Sequence, residues 1–170
     1  MLNGKRAIIL VEREFRDEEV FYPFYRLKEE GVDVKVAGAG EKSYIGKFGL
    51  SINTDGNIKD FKADDFDAVI IPGGWAPDFM RRTPEFAKFI RDMNVQGKII
   101  ASICHGGWML CSADIVRGKT LTSYSSIKDD LVHSGAKFVD KAVVVDGNLI
   151  TSRKPDDLPD FCREIIRLLG

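Results

Sequence analysis

A cysteine and a histidine stand side by side at the end of an apolar run, and two glycines follow them. These residues are Cys104 and His105. The run predicts a buried strand, and the glycines allow a sharp turn from that strand into a helix. A thiol over a helix N-terminus is expected to have a lowered pKa and to react as the thiolate. The adjacent imidazole is placed to supply or relay a proton, so the pair predicts a cysteine-dependent enzyme.

Simpler interpretations exist for each of these residues. A lone cysteine in an apolar run is ordinarily a small buried hydrophobe, which is how we interpret Cys111 and Cys162 inside predicted helices. Cys104 differs because it is the last residue of its run, where a tight elbow would strain the backbone and expose the sulfur. His105 also fits a turn residue bonded to the backbone, and His133 is the sole alternative base.

A catalytic base needs an acidic partner, and an acyl-transfer site needs donors for the oxyanion. Glu19 and Asp78 both follow predicted strand ends. Glu19 also fits a solvated helix start, and Asp78 also fits a first-turn acid that the helix dipole favours. Gly73 and Gly74 follow another strand, where they form either a plain turn or a set of backbone N–H donors beside Cys104.

Strands and helices alternate along the chain, as expected for helices packed on both faces of a mostly parallel sheet. The predicted strands are Arg6–Val11, Val32–Ala37, Asp67–Ile71, Lys98–Ile103, Lys141–Val145 and Asn148–Ser152. The predicted helices are Glu18–Glu30, Pro84–Gln96, Gly106–Ser112, Ile127–Ser134 and Leu158–Leu169. The stretch 38–60 is rich in Gly, Asn and Lys and predicts a hairpin or irregular excursion. We expect one α/β domain over residues 1–170, a three-layer sandwich.

Composition excludes several classes of function. The net charge of −1 comes without a basic stripe, so we expect neither nucleic-acid binding nor attachment to a membrane. The first apolar run is too short for a signal peptide, which favours a cytoplasmic protein. Three cysteines without a CxxC pair, and only two histidines, predict neither a disulfide framework nor a metal site. No motif for a cofactor is present.

A set of short motifs spread over the chain resembles the PfpI family of intracellular cysteine peptidases, within the ThiJ/PfpI superfamily. The motifs are Glu19 to Pro23, Pro72-Gly73-Gly74, Ala101-Ser-Ile-Cys104-His105-Gly106, Ile127-Lys-Asp-Asp130, Asp146-Gly147 and Thr151 to Leu158. The resemblance covers essentially the whole chain. It implies a flavodoxin-like sandwich and an obligate homodimer, in many members assembled into a homohexamer.

The resemblance also assigns roles to the chemical residues. It implies Cys104 as nucleophile, His105 as its partner and Glu19 as an acid that hydrogen-bonds the sulfur. To donate to a thiolate Glu19 must be protonated, which predicts a raised pKa. Asp78 falls where the peptidases carry a glutamate donated by a neighbouring subunit to a Cys-His-Glu triad, and it is one methylene shorter.

Other residues are assigned to the oxyanion site and the pocket. Gly73 and Gly74 match the oxyanion turn, and Tyr124 matches a tyrosine at the mouth of the active site. Trp75 and Trp108 are expected to narrow or reshape the pocket. The activities of the family are peptidase, glyoxalase and deglycase, which share thiolate attack on an electrophilic carbon. The expected substrate is a small carbonyl, glycated or peptide compound.

Two other classes of function compete with this one. A redox-sensing, stress-protective chaperone would use an oxidisable Cys104. A glutamine amidotransferase shares the cysteine elbow but needs a histidine well downstream, followed two residues later by a glutamate. No histidine follows His133, so we set that class aside.

Overall fold

The elements follow one another in the alternating order that the sequence predicts, and the computed structural model describes all 170 residues. The strands are β1 (Arg6–Leu10), β2 (Asp33–Gly38), β3 (Ser43–Ile45), β4 (Ser51–Asn53), β5 (Gly56–Asn57), β6 (Ala68–Ile71), β7 (Ile99–Ile103), β8 (Thr120–Leu121), β9 (Lys137–Phe138), β10 (Val143–Asp146) and β11 (Leu149–Ser152). The helices are α1 (Asp17–Glu29), α2 (Ala76–Met80), α3 (Pro84–Val95), α4 (Gly107–Ser112), α5 (Lys128–His133) and α6 (Leu158–Leu169).

Seven strands form the main sheet in the order β10-β11-β7-β6-β1-β2-β5. All neighbours are parallel except β10 and β11, which form the hairpin predicted at Asp146-Gly147. The central strands β1, β6 and β7 are almost fully buried, as expected for strands covered on both faces. The predicted mostly parallel α/β fold is confirmed.

The helices form two groups, one on each face of the sheet. On one face α1 packs beside α6, and on the other α3 packs beside α4, which also contacts α2 and α5. Helix α6 illustrates how the spacing of apolar residues produces a helix with one buried face. It buries Leu158, Phe161, Cys162, Ile165 and Leu169, the spacing of a single helical face, and it has the bounds that the sequence predicts.

The stretch 38–60 contains the β3–β4 hairpin, one of the two alternatives predicted there, and also the edge strand β5. The other short elements escaped prediction. Helix α2 was missed because its five residues are too few to show a helical period. Strands β8 and β9 have two residues each, and their pairing depends on contacts distant in sequence. None of the helices combines the length and the apolar character needed to cross a membrane.

The order of the sheet creates a crevice beside β1. The chain leaves β1 for β2 on one side, whereas β6 and β7 lie on the other side. Such a switch in direction opens a crevice at the carboxyl ends of the strands, where open α/β sheets bind ligands. The segments that follow β1, β6 and β7 therefore meet at one place.

Candidate active site

Cys104 occupies the turn that follows β7. Its φ angle of 60° lies in the left-handed region, which is unusual for a residue with a side chain. The turn continues as a 3₁₀ segment over Cys104–Gly106 before α4 begins, and the N–H of Tyr124 donates to the carbonyl of Cys104 at 3.3 Å. The strained elbow expected from the sequence is confirmed, at a typical cost of about 1–3 kcal/mol. The expected exposure of the sulfur is wrong, because Cys104 is buried.

Glu19 approaches the sulfur from the first turn of α1 and is fully buried. Its Oε2 accepts the N–H of Gly73 at 2.7 Å. Its Oε1 is buried without a hydrogen-bond partner, and the Cys104 thiol is close enough to influence the pKa of this carboxyl. Burial raises the pKa of Glu19 to about 7, the direction expected for an acid that must stay protonated.

The lowered pKa expected for Cys104 is wrong. Burial, followed by repulsion from the Glu19 carboxylate, raises the pKa of the thiol to about 12. Helix α4 has only six residues and starts after an intervening 3₁₀ segment, so its dipole does not outweigh the loss of solvent.

Two backbone N–H groups face the sulfur, those of His105 and Gly74, and both favour the thiolate. This corrects part of the expected oxyanion turn, because the N–H of Gly73 is already engaged by Glu19. A side chain is nevertheless impossible at Gly73: a Cβ there would lie 2.7 Å from Cys104 Cβ and 2.8 Å from Glu19 Oε2. Gly74 has a φ of 70°, and a Cβ on it would collide with the carbonyl of Glu14.

His105 turns back toward the sulfur, as the proposed pairing with Cys104 requires. Its Nδ1 lies 3.3 Å from Cys104 Sγ, and its Nε2 lies 3.2 Å from Ser126 Oγ. The ring stacks on Tyr124 with centroids 5.2 Å apart and meets Trp108 edge-on at 5.1 Å. Burial, reinforced by the nearby Lys47 cation, lowers the pKa of His105 and keeps the imidazole neutral.

A cavity of about 320 Å³ opens above the sulfur. Trp75 and Tyr124 form aromatic walls, while Arg16 and Lys47 contribute two positive charges. Trp108 does not line the cavity, and its indole N–H donates to Asp130 at 2.9 Å. No group of three or more His, Cys, Asp or Glu side chains in the structure is arranged to ligate a metal.

Asp78 and His133 lie away from this cavity. Asp78 is in the first turn of α2, half exposed, and forms an ion pair with Arg82 at 2.6 Å. The structure of one chain therefore brings Cys104, His105 and Glu19 together without Asp78, and the contact across subunits stays a prediction. His133 is exposed in the last turn of α5.

Sequence reasoning missed four residues of the cavity: Arg16, Lys47, Ser126 and Pro155. Lys47 belongs to the β3–β4 hairpin loop and Ser126 to a 3₁₀ segment after β8, so neither follows a predicted strand end. A weak signal existed for Arg16, which is three residues before Glu19 and immediately precedes the helix that places it.

Comparison with known proteins identifies the family. The model of the DJ-1/PfpI family matches residues 5–168. The chain belongs to the DJ-1/PfpI family.

Family members at 40–44% identity cover nearly all of the chain. Protein/nucleic acid deglycase 2 of Escherichia coli is 42% identical over 172 residues, which is 98% of this chain and 99% of that protein. Deglycase PfpI of Pyrococcus furiosus is 40% identical over 164 residues, 96% of this chain and 99% of that protein.

A crystal structure shows the same family fold joined to a second domain. The two-domain protein of Anabaena variabilis, with DJ-1/ThiJ/PfpI-like and ferritin-like domains, superposes with a TM-score of 0.96 at 44% identity. The match covers 98% of this chain and 48% of that one, so this chain spans about half the length of the two-domain protein.

Proposed function

We propose that this chain is a cysteine-dependent hydrolase of the deglycase and glyoxalase type, with Cys104 as its nucleophile. The observation that carries the proposal is the strained Cys104, whose sulfur lies between the buried carboxyl of Glu19 and the imidazole of His105 below a cavity. A nucleophile flanked by two proton-transfer groups is the arrangement that covalent catalysis on a carbonyl requires.

The shared proton prepares the nucleophile. Above a pH of about 7 the Glu19–Cys104 pair has lost one of its two protons. When the remaining proton is on the carboxyl, the thiolate accepts from Glu19 and from the N–H groups of Gly74 and His105. The thiolate is then free to attack a carbon in the cavity.

The reaction on a methylglyoxal adduct of an amine follows from these groups. The sulfur bonds to the carbon that carries the hydroxyl and the amine, the carbon–nitrogen bond breaks, and the amine leaves with the proton of the thiol. The resulting hemithioacetal becomes a thioester when the proton on its carbon moves to the neighbouring carbonyl carbon through an enediol. Water hydrolyses the thioester, which releases a 2-hydroxy acid and restores the thiol.

His105 and the N–H donors serve different steps. His105 Nδ1, 3.3 Å from the sulfur, is the base that moves protons on the cavity side. The N–H groups of Gly74 and His105 stabilise negative charge on the sulfur and on the adjoining oxygen.

The size of the cavity favours a small adduct over a peptide chain. A volume of about 320 Å³ accommodates one modified amino acid. Relatives similar to this chain over their whole length are named deglycases, which supports the same choice. Peptidase activity is the alternative within this family, and casein and fluorogenic peptides test it.

The first prediction concerns the nucleophile. Cys104→Ala is expected to lower kcat/KM for methylglyoxal and its amine adducts by about a thousandfold or more, because no other group forms the thioester. Cys111→Ala removes a thiol outside the cavity and is expected to retain activity. The readout is formation of the 2-hydroxy acid. Full turnover by the Cys104 variant excludes this mechanism.

A further inference from the structure

The charges around the cavity are unequal. Arg16 and Lys47 both line it, whereas the sole acidic residue in its wall is Glu19, which is fully buried. A substrate that enters therefore faces two cations and a buried acid that its raised pKa leaves about half protonated near pH 7. A concave site lined by one sign of charge attracts ligands of the opposite sign.

Each cation is held in place by an aromatic ring. The guanidinium carbon of Arg16 lies 4.5 Å from the centre of the Phe48 ring, and Lys47 Nζ lies 5.4 Å from the centre of the Trp75 ring. Glu18 accepts from Nε and Nη2 of Arg16, at 2.9 Å and 3.3 Å. The N–H groups of Nη1 are left for a ligand, because a guanidinium carries five donors.

Both charges act on the reacting groups. Arg16 interacts electrostatically with Cys104 and with Glu19, and Lys47 with His105. An anionic group on the substrate that reaches these cations is therefore close to the atoms that carry out the chemistry.

We infer that this pocket selects carbonyl adducts that carry a carboxylate a few bonds from the reacting carbon, such as glyoxal adducts on the α-amino group of free amino acids. The inference rests on the proposed function for the identity of the reaction. Selection itself depends on Arg16 and Lys47, which neighbour the nucleophile without being needed for bond formation.

A matched pair of alkylating reagents tests selection without turnover. Iodoacetate and iodoacetamide both transfer a two-carbon group to the thiolate with loss of iodide, and they differ in charge. We expect Arg16→Gln and Lys47→Gln each to lower the iodoacetate-to-iodoacetamide rate ratio at Cys104 by about threefold, the size of one partly solvated charge pair. Peptide mass spectrometry separates Cys104 from Cys111 and Cys162.

Further variants serve as controls for the loss of charge and for damage to the fold. Arg16→Lys and Lys47→Arg keep the charge and are expected to keep the ratio. Lys59→Gln removes an exposed cation outside the cavity and is also expected to leave the ratio unchanged. Added salt is expected to lower the ratio in the unsubstituted protein. A ratio that is the same in the Arg16→Gln/Lys47→Gln double variant overturns the inference.

A substrate pair completes the test. The methylglyoxal adduct of alanine carries a carboxylate where that of alaninamide carries a neutral amide. We expect kcat/KM to be about tenfold higher for the alanine adduct, and we expect this preference to be smaller in the double variant. Equal kcat/KM for both adducts overturns the inference while the proposed function stands. Turnover of neither adduct, with an alkylation ratio that responds to the cations, overturns the proposed function and supports anion selection.

Discussion

At the scale of single residues, the proposed chemistry depends on two neighbouring acids, the Cys104 thiol and the Glu19 carboxyl. Cys104 and Glu19 lie together in a buried place, and the pKa of each is raised because charge there is poorly solvated. Burial lowers the pKa of His105. The Nε2 atom of His105 faces the neutral hydroxyl of Ser126. A carboxylate at that position would favour imidazolium, whereas a hydroxyl donates or accepts and so serves both neutral tautomers.

Glu19 makes stability depend on pH. Its pKa rises from an ordinary 4.5 to about 7 in the folded chain, so the folded state binds the extra proton between these values. The free energy of unfolding is therefore expected to fall by about 3 kcal/mol as pH rises through this window, and to level off above it. Glu19→Gln cannot ionise and is expected to flatten this dependence. Urea unfolding at pH 5 and pH 8 measures the change in the free energy of unfolding. The same change in the Glu19→Gln variant and in the unsubstituted protein contradicts the prediction.

Ser126 positions His105. Ser126→Ala removes the hydroxyl 3.2 Å from Nε2, so we expect kcat to fall about five- to tenfold, the worth of one hydrogen bond, and the pH profile of kcat to shift. The neighbouring exposed Ser125 makes no side-chain hydrogen bond with His105, and Ser125→Ala is the matched control. Identical pH profiles for the two variants argue against a positioning role.

At the scale of elements, strand ends and one hairpin loop assemble the site. The segments after β1 and β6 join directly, through the N–H of Trp75 donating to the carbonyl of Glu14 at 2.9 Å. The loop of the β3–β4 hairpin is fastened to α1 by Asp17. This buried carboxylate accepts the N–H groups of Phe48 and Leu50, each at 2.9 Å. Lys47 lies in that loop, so helix and hairpin together set the position of one cavity cation.

Removing the Asp17 carboxylate is expected to loosen this loop. Asp17→Ala leaves two N–H groups without a charged acceptor, so we expect a loss of about 2 kcal/mol in the free energy of unfolding. Amide exchange at Phe48 and Leu50 should quicken. The control Glu29→Ala removes an exposed carboxylate from the last turn of the same helix and should leave this exchange unchanged. Unaltered exchange in the Asp17 variant shows that other contacts hold the loop.

At the scale of the whole molecule, one chain leaves apolar side chains exposed on α1 and on the loop of the β3–β4 hairpin. Tyr25 on α1 is 63% exposed, and Phe48 and Leu50 on the hairpin loop are 61% and 53% exposed. Exposed apolar groups on neighbouring elements are typical of surfaces that another protein covers. The homodimer and homohexamer implied by the resemblance stay predictions, as does a contribution of Asp78 to a second subunit.

Complementation tests the shared site. If Asp78 of one subunit completes the site of another, Asp78→Ala and Cys104→Ala are each expected to be inactive, and co-expressing them is expected to restore activity in mixed assemblies. Light scattering after size exclusion establishes the assembly that is present. Full activity of the Asp78 variant contradicts the shared triad and leaves Ser126 as the partner of His105 Nε2.

Local patterns in the sequence determined the fold class and indicated the candidate nucleophile. Burial on both faces of the central strands demands continuous apolar runs, and the strained turn at Cys104 needs glycines beside it, so both leave signals along the chain. The tertiary structure alone decided which groups surround the sulfur. Lys47 and Ser126 come from loops whose positions depend on distant contacts, and the raised pKa of Cys104 arises from burial, which no spacing of residues records.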